Sequence, residues 1–207
     1  AMIGSDNNPK YKQNQVLIWD DLYKSELCKM SFNENVLNIK MSREKLFIVC
    51  QNKIYVFNMK NFQNIDNIET GKNPLGLIDI SYESGKTILA FPDTEKGHVQ
   101  LKNYEESQII HINAHENEIA KIALTYNGLL LATASKDGKK IRIFETEKGE
   151  LLQELNRGKE KAEIKCISID NKGQFLAASS ERGTIHIWSL NQSLEKLQKM
   201  GKIVTSE

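Results

Sequence analysis

The 207-residue sequence has few cysteines and no long apolar run. Its three cysteines, Cys28, Cys50 and Cys166, are odd in number, and no pair has the spacing of zinc ligands. We therefore expect buried, reduced thiols in a reducing compartment. No apolar run approaches the ~20 residues that cross a bilayer, and no signal peptide is visible. The sequence thus predicts a soluble, cytosolic protein whose contact with membranes, if it has any, is peripheral.

The sequence also lacks an excess of either charge. Its 28 Lys and Arg residues oppose 27 Asp and Glu residues, which leaves a net charge of +1. A basic protein that coats nucleic acid is therefore excluded, and we expect no nucleic-acid partner. Any site for an anion must come from local clustering of cations, because the field of the whole protein is weak.

Sequence signatures of catalysis are missing as well. There is no nucleophile and base at useful spacing, no glycine-rich phosphate loop and no cluster of metal ligands. His111 and His115 lie four residues apart, but the zinc-protease pattern needs a glutamate beside the first histidine on a helix. The segment instead reads as a loop before a strand. We expect neither an enzyme nor a bound cofactor.

What the sequence does contain is a repeat of short strand-like runs. The runs "KIYVFN", "GHVQLK", "KIRIFE" and "TIHIWS" begin at residues 53, 97, 140 and 184, in steps of 44, 43 and 44 residues, and "QVLIWD" begins at residue 15. Their apolar and polar residues alternate with the period of a half-buried strand. Each of the last three follows two further strand-like runs, with Gly and Asp or Asn turn signals between them.

A period near 40 to 45 residues with about four strands is the signature of a β-propeller blade. We therefore predict an all-β propeller of four-stranded antiparallel blades over residues 1–190. An open ring would leave two apolar faces in water, which is rare for a monomer. We expect the chain to be part of a longer propeller, or to need a partner that closes the ring.

Several segments are more particular than a general repeat pattern. They are "NPKYKQNQVLIWDD", "NPLGLIDIS", "ILAFPDTEKGHVQL", "INAHENEIAKIALTYNGLLLATASKDGKKIRIFET" and "GTIHIW". Together they resemble the PROPPIN (WIPI-like) family of seven-bladed WD-repeat propellers, which bind phosphoinositides in autophagy and endolysosomal traffic. The resemblance implies that the chain covers the end of the first blade through most of the sixth, which is an incomplete ring.

The family hallmark Phe-Arg-Arg-Gly is matched here by residues 155–158, Leu-Asn-Arg-Gly. In the family, the two arginines serve two separate headgroup pockets. The resemblance implies a second pocket that consists of Arg157, Ser180, Thr184 and His186, with Arg182 adding charge at the rim. A guanidinium offers a planar fork to a phosphate, and hydroxyl groups add hydrogen bonds. The alternative is that the hydroxyls bond their own turn and the histidine lies on the blade surface.

The first pocket implied by the resemblance is altered. Its positions are His115, Ser135, Lys139, Arg142 and Asn156, where Asn156 replaces the first family arginine and Lys139 a threonine. A hydrogen bond to a charged group contributes ~1.5 to 3 kcal/mol, so loss of the fork weakens this pocket about tenfold or more. Retained and lost binding are both open, and Arg142 alternatively forms an ion pair within the sheet.

Residues 191–207 are predicted to begin a loop or tail that contacts a membrane. Four apolar residues fall at helical steps with lysines among them: Leu190, Leu194, Leu197 and Met200, with Lys196, Lys199 and Lys202. A basic segment with an apolar stripe suits an anionic membrane surface. The alternative is a flexible loop between strands.

The resemblance implies a scaffold or effector that reads phosphatidylinositol 3-phosphate and, as a second ligand, the 3,5-bisphosphate. The expected location is the cytoplasmic side of preautophagosomal, endosomal or vacuolar and lysosomal membranes. Expected partners are autophagy proteins such as a lipid-transfer protein or the conjugation machinery. Because of Asn156 and Lys139, the alternative function is a protein-interaction scaffold with weakened or lost lipid binding.

Overall fold

The computed structural model describes residues 1–5 and 10–202 of the chain. In this part the chain forms eighteen β-strands and one α-helix. Each strand pairs antiparallel with the next strand of its sheet, so every sheet is a simple meander. The chain divides into two compact units, Ala1–Leu77 and Ile78–Glu207.

The first unit contains two sheets. The first sheet consists of β1 (Met2–Ile3), β2 (Gln15–Asp20) and β3 (Ser25–Ser31), and the second of β4 (Asn38–Met41), β5 (Lys45–Val49), β6 (Lys53–Asn58) and β7 (Asn64–Glu69). Val16, Ile18, Leu46 and Ile48 are buried in their common core. The short strand β1 pairs with β2 and precedes the "QVLIWD" run in the chain.

The second unit contains three sheets. The first consists of β8 (Asp79–Ile80), β9 (Ile88–Pro92), β10 (His98–Asn103) and β11 (Gln108–Asn113). The second consists of β12 (Ile119–Leu124), β13 (Leu130–Ser135), β14 (Lys140–Glu145) and β15 (Leu151–Asn156). The third consists of β16 (Ile164–Ile169), β17 (Phe175–Ser180) and β18 (Ile185–Ser189). Strand β12 packs beside β8 and β16, the first strands of the neighbouring sheets. The first strands are therefore adjacent, as they are in radial blades.

The repeat predicted from the sequence is confirmed. The runs that begin at residues 15, 53, 97, 140 and 184 are β2, β6, β10, β14 and β18. In β6 and β10 a buried residue alternates with a partly buried one, which explains the period of two in the sequence. Every residue of β13 is buried, because this strand is covered on both faces.

The last sheet has an uncovered apolar face. In β14, Ile141 and Ile143 are 0% exposed, whereas Ile185 and Ile187, at the corresponding positions of β18, are 72% and 70% exposed. Among the described residues β18 pairs only with β17. These isoleucines have the spacing of core residues but no sheet that covers them, as expected for an incomplete ring.

The predicted tail begins with a helix, α1 (Asn191–Lys199). Leu190 and Leu197 are buried and Leu194 is partly buried in the core that this helix shares with the last two sheets. The leucine spacing thus does give a helix, but its apolar stripe faces the protein, and membrane contact through it would require the helix to leave the sheets. Residues 203–207 of the predicted tail lie outside the described residues. Within the described part, α1 is too short and too polar to span a bilayer.

Gly138 allows the turn between β13 and β14 to meet a neighbouring loop. Its φ is +59°, and a Cβ there would lie 1.7 Å from the carbonyl oxygen of Ala162. Gly85 has a similar φ of +74° but nothing within 4 Å of its Cβ position. The two glycines share a conformation and differ in the space around them.

We expect Gly138→Ala to lower the free energy of unfolding by about 1 to 3 kcal/mol more than Gly85→Ala does. Both variants carry the strain of a positive φ, but only the first forces a methyl group into a backbone oxygen. Urea unfolding of the two variants measures the difference. Equal losses would show that the close approach at Gly138 contributes nothing.

Candidate functional site

The end of β15 directs two consecutive residues to opposite faces of its sheet. Asn156 lies opposite Lys140, on the face that also holds Arg142 and Glu154. Since side chains alternate along a strand, Arg157 points to the other face. The two pockets implied by the resemblance therefore lie on opposite sides of the β12–β15 sheet.

In the second pocket, the Arg157 side chain donates hydrogen bonds both to the turn between β13 and β14 and to the loop that contains Glu160. Its Nε donates a hydrogen bond of 2.8 Å to the carbonyl of Gly138, and its Nη2 donates to the carbonyl of Glu160. Its backbone N–H bonds the carbonyl of Lys139 at 2.8 Å. None of the hydrogen bonds among the described residues uses Nη1 of Arg157. The half-buried guanidinium is held by carbonyl oxygens.

The turn between β17 and β18 presents the two predicted hydroxyl groups. The Oγ of buried Ser180 lies 3.0 Å from Oγ1 of exposed Thr184. The backbone closes the turn with a bond from the N–H of Ser180 to the carbonyl of Thr184 and one from the N–H of Gly183 to the carbonyl of Ser180, both 3.1 Å. The two hydroxyls thus bond each other within the turn, as in the alternative interpretation, and Thr184 is exposed as a residue.

Arg182 brings this turn to the loop that Arg157 holds. Its Nη1 lies 2.5 Å from Oε2 of Glu160, and its Nη2 donates to the carbonyl of Lys161 at 3.4 Å. Arg157 and Arg182 therefore contact the same residue, Glu160, one from the end of β15 and the other from the turn between β17 and β18. Glu160 was not predicted from the sequence, although it is the single acidic residue in the run "RGKEK".

His186 lies in β18, two residues after Thr184 in the chain, and its side chain points to the same side as that of Thr184. Its ring stacks on that of Trp188, with centroids 5.4 Å apart and planes 13° from parallel. It pairs in register with Ala178. Arg157 and Arg182 thus contact one loop, Thr184 lies in the turn that carries Arg182, and His186 has a stacking role that agrees with the blade-surface alternative.

In the first pocket, His115 and Arg142 form hydrogen bonds with other groups of the protein. His115 is 6% exposed, and its Nε2 lies 3.0 Å from Oγ1 of Thr133. Arg142 donates from Nη1 to the carbonyl of Ala114 at 2.7 Å and from Nε to Oε2 of Glu154 at 2.9 Å. The ion pair within the sheet, which the sequence left as an alternative for Arg142, is present.

Glu154 also neutralises a second cation of this face. Its Oε1 lies 2.5 Å from Nζ of Lys140. Hydrogen bonds from Lys140 and Arg142 hold the pKa of Glu154 below its ordinary value, so it stays ionised. Thr133 and Glu154 were missed because they follow from strand register, Thr133 opposite Arg142 and Arg142 opposite Glu154.

The remaining predicted residues of the first pocket lie at its edge. Ser135 is buried at the end of β13, and its carbonyl accepts a 2.9 Å bond from the N–H of Gly138. Asn156 and the side chain of Lys139 are exposed. The structure thus groups His115 and Arg142 around internal partners, and leaves Lys139 and Asn156 at the solvent.

These observations define a class of protein: a β-propeller with a cluster of cations where two sheets of its second unit meet. The sequence profile of the PROPPIN family matches residues 6–200. This match covers most of the chain, so the chain belongs to the PROPPIN family. The family consists of non-enzymatic propellers, which agrees with the expectation that the chain is not an enzyme.

Individual relatives support the assignment. The chain is 39% identical over 195 residues to Autophagy-related protein 18e of Arabidopsis thaliana, covering 94% of this chain and 52% of that protein. It is 33% identical over 191 residues to SVP1-like protein 2 of Emericella nidulans, covering 92% of this chain and 59% of that protein. The chain thus spans a little over half the length of these relatives.

The fold is also that of a solved structure. The crystal structure of Hsv2 from Kluyvelomyces marxianus matches with a TM-score of 0.76 and 28% identity, over 86% of this chain and 56% of that one. The predicted propeller of antiparallel blades is therefore confirmed.

The buried imidazole of His115 makes stability depend on pH. Burial, and secondarily the charge of Arg142, lower the pKa of His115 from 6.5 to about 4. The unfolded chain then binds a proton at a higher pH than the folded chain does. The stabilisation by neutral His115 is complete above pH 6.5 and is lost as the pH falls from 6.5 towards 4.

We expect wild-type protein to lose about 2 kcal/mol more of its free energy of unfolding between pH 7.5 and 5 than His115→Gln does. The glutamine keeps a donor for Thr133 but does not titrate. Urea unfolding at a series of pH values measures both slopes. Parallel slopes for the two proteins would contradict the assignment of a neutral, buried His115.

Proposed function

We propose that the chain is the phosphate-reading part of a phosphoinositide-binding propeller that acts in autophagy. The observation that carries the proposal is the convergence of Arg157 and Arg182 on Glu160, with the exposed Thr184 in the same turn as Arg182. Two guanidinium groups and a hydroxyl supply the planar forks and the short hydrogen bond that a phosphomonoester accepts. The names of the relatives, which are autophagy-related, support the cellular context.

The second pocket is the better candidate for the headgroup. Its cations contact carbonyl oxygens and one exposed carboxylate, whereas both strand cations of the first pocket contact Glu154. Carbonyl oxygens leave the charge of Arg157 uncompensated. We expect one headgroup to bind beside Arg157, Arg182 and Thr184, with His186 behind them, and a weaker or absent second one beside Arg142.

The expected ligand is phosphatidylinositol 3-phosphate, and the 3,5-bisphosphate is the second choice. A single headgroup binds weakly, so membrane association needs further contacts that raise the avidity. The expected site of action is the cytoplasmic surface of preautophagosomal, endosomal or vacuolar membranes. Autophagy proteins, such as a lipid-transfer protein or the conjugation machinery, are the expected partners.

Thr184→Val tests the second pocket with less disturbance of the fold than Arg157→Ala causes. The variant keeps the volume of an exposed side chain and removes one hydroxyl with its bond to Ser180, whereas Arg157→Ala would release the loop that the guanidinium holds. Loss of one hydrogen bond to a charged group weakens binding about tenfold. Flotation of vesicles with and without phosphatidylinositol 3-phosphate measures this.

The matched control is Thr94→Val, the same change at an exposed position in the turn between β9 and β10. It should bind as wild type does. If wild-type protein floats equally with and without the lipid, the proposed function is wrong. If both valine variants bind as wild type does, the headgroup lies elsewhere.

The internal bonding of the first pocket favours a second candidate function, a protein-interaction scaffold with little lipid binding. In that case the charges around Glu154 stabilise a blade rather than hold a ligand. A partner that co-purifies with wild type and with Thr184→Val alike, together with no lipid-dependent flotation, would favour this alternative.

A further inference from the structure

The candidate site includes a negatively charged side chain, that of Glu160. The carboxylate of Glu160 lies against Arg182, at 2.5 Å between Oε2 and Nη1, and the carbonyl of the same residue accepts a bond from Arg157. An arginine that contacts this carboxylate cannot offer the same N–H group to a phosphate. A headgroup that uses the N–H group of Arg182 that faces Glu160 must therefore displace Glu160.

The backbone of the loop around Glu160 is anchored at both ends, since the N–H groups of Arg157 and Gly158 bond the carbonyl of Lys139 at 2.8 and 3.4 Å. Ala162 is 1% exposed, and its N–H bonds the carbonyl of Asp137 at 3.2 Å. Lys161 forms an ion pair of 2.9 Å with the same aspartate. Gly158, at the other end, has nothing within 4 Å of its Cβ position. The side chain of Glu160 can therefore turn away while the anchor at Ala162 stays in place.

The pair between Glu160 and Arg182 is weak enough to be displaced. The side chains of Arg182 and Glu160 are 47% and 73% exposed, so water screens their attraction. A phosphomonoester carries a charge of about −1.5 to −2 and three acceptor oxygens. A phosphodiester, the group that every phospholipid has, carries only one charge. The monoester competes better for Arg182 than a diester does.

We propose that Glu160 is an internal counter-ion that competes with the ligand for Arg182 and so sets the affinity and selectivity of the second pocket. It holds Arg182 until a phosphomonoester replaces it, and it disfavours lipids that carry a diester alone. This inference rests on the proposed function, because it concerns the same pocket.

The test measures binding of five proteins to vesicles that contain phosphatidylinositol 3-phosphate, to vesicles that contain phosphatidylserine, and to inorganic phosphate in solution. The proteins are wild type, Glu160→Gln, Glu163→Gln, Arg182→Gln, and the double variant that combines Arg182→Gln with Glu160→Gln. Arg182→Gln is the reference for the double variant. Glu163→Gln is the matched control, since it removes the same charge from the same loop but from a residue paired with Lys165.

We expect Glu160→Gln to raise the affinity for the 3-phosphate vesicles about three- to fivefold, and to raise phosphatidylserine binding by a larger factor. Glu163→Gln should have a smaller effect. In the Arg182→Gln background, Glu160→Gln should change nothing, because no arginine remains to be released. A gain with inorganic phosphate as well would identify the phosphate group itself, rather than the membrane, as the competitor.

The inference is wrong if Glu160→Gln binds as wild type does, if Glu163→Gln gains as much, or if the gain persists without Arg182. In each of these cases lipid-dependent binding by wild type would leave the proposed function standing. Absence of lipid-dependent binding by every protein, Glu160→Gln included, would overturn the proposed function and this inference with it.

Discussion

The candidate site depends on the contact between the Arg157 guanidinium and the turn that contains Gly138. A hydrogen bond of 2.8 Å to the carbonyl of Gly138 fixes the guanidinium, and the missing Cβ of Gly138 lets Ala162 approach the same turn. This places the loop with Glu160 between the sheets of β12–β15 and β16–β18. In this position the loop is contacted by Arg182.

Both faces of the β12–β15 sheet have ion pairs between a glutamate and a cation, but the two glutamates lie in different kinds of segment. On one face, Glu154 lies in a strand and binds both Lys140 and Arg142, which gives a compact and partly buried network. On the other face, Glu160 lies in a loop and binds Arg182 in solvent. Charge pairs within strands are fixed by the register, whereas a pair in a loop can open. This difference is the reason we propose the second face as the ligand site.

The sequence allowed the strands, their order and the repeat to be predicted, because alternating burial leaves a period of two in each run and the sheets recur every 43 or 44 residues. Arg157, Ser180 and Thr184 were also predicted from the sequence, through a resemblance to a family. Glu160, Glu154 and Thr133 were not, because their roles come from distances between elements. The membrane-facing stripe of the tail was inferred from spacing, but Leu190 and Leu197 are buried against the protein.

The sequence by itself determined that the chain forms small antiparallel sheets in succession, since local alternation and turn residues are enough to specify a meander. It also determined which cations and hydroxyls occupy the ends of the strands. Only the tertiary structure decided which cations are neutralised, because a carboxylate pairs with the cation that the fold places within about 4 Å. Neighbours in space such as Arg142 and Glu154, or Arg182 and Glu160, are far apart along the chain.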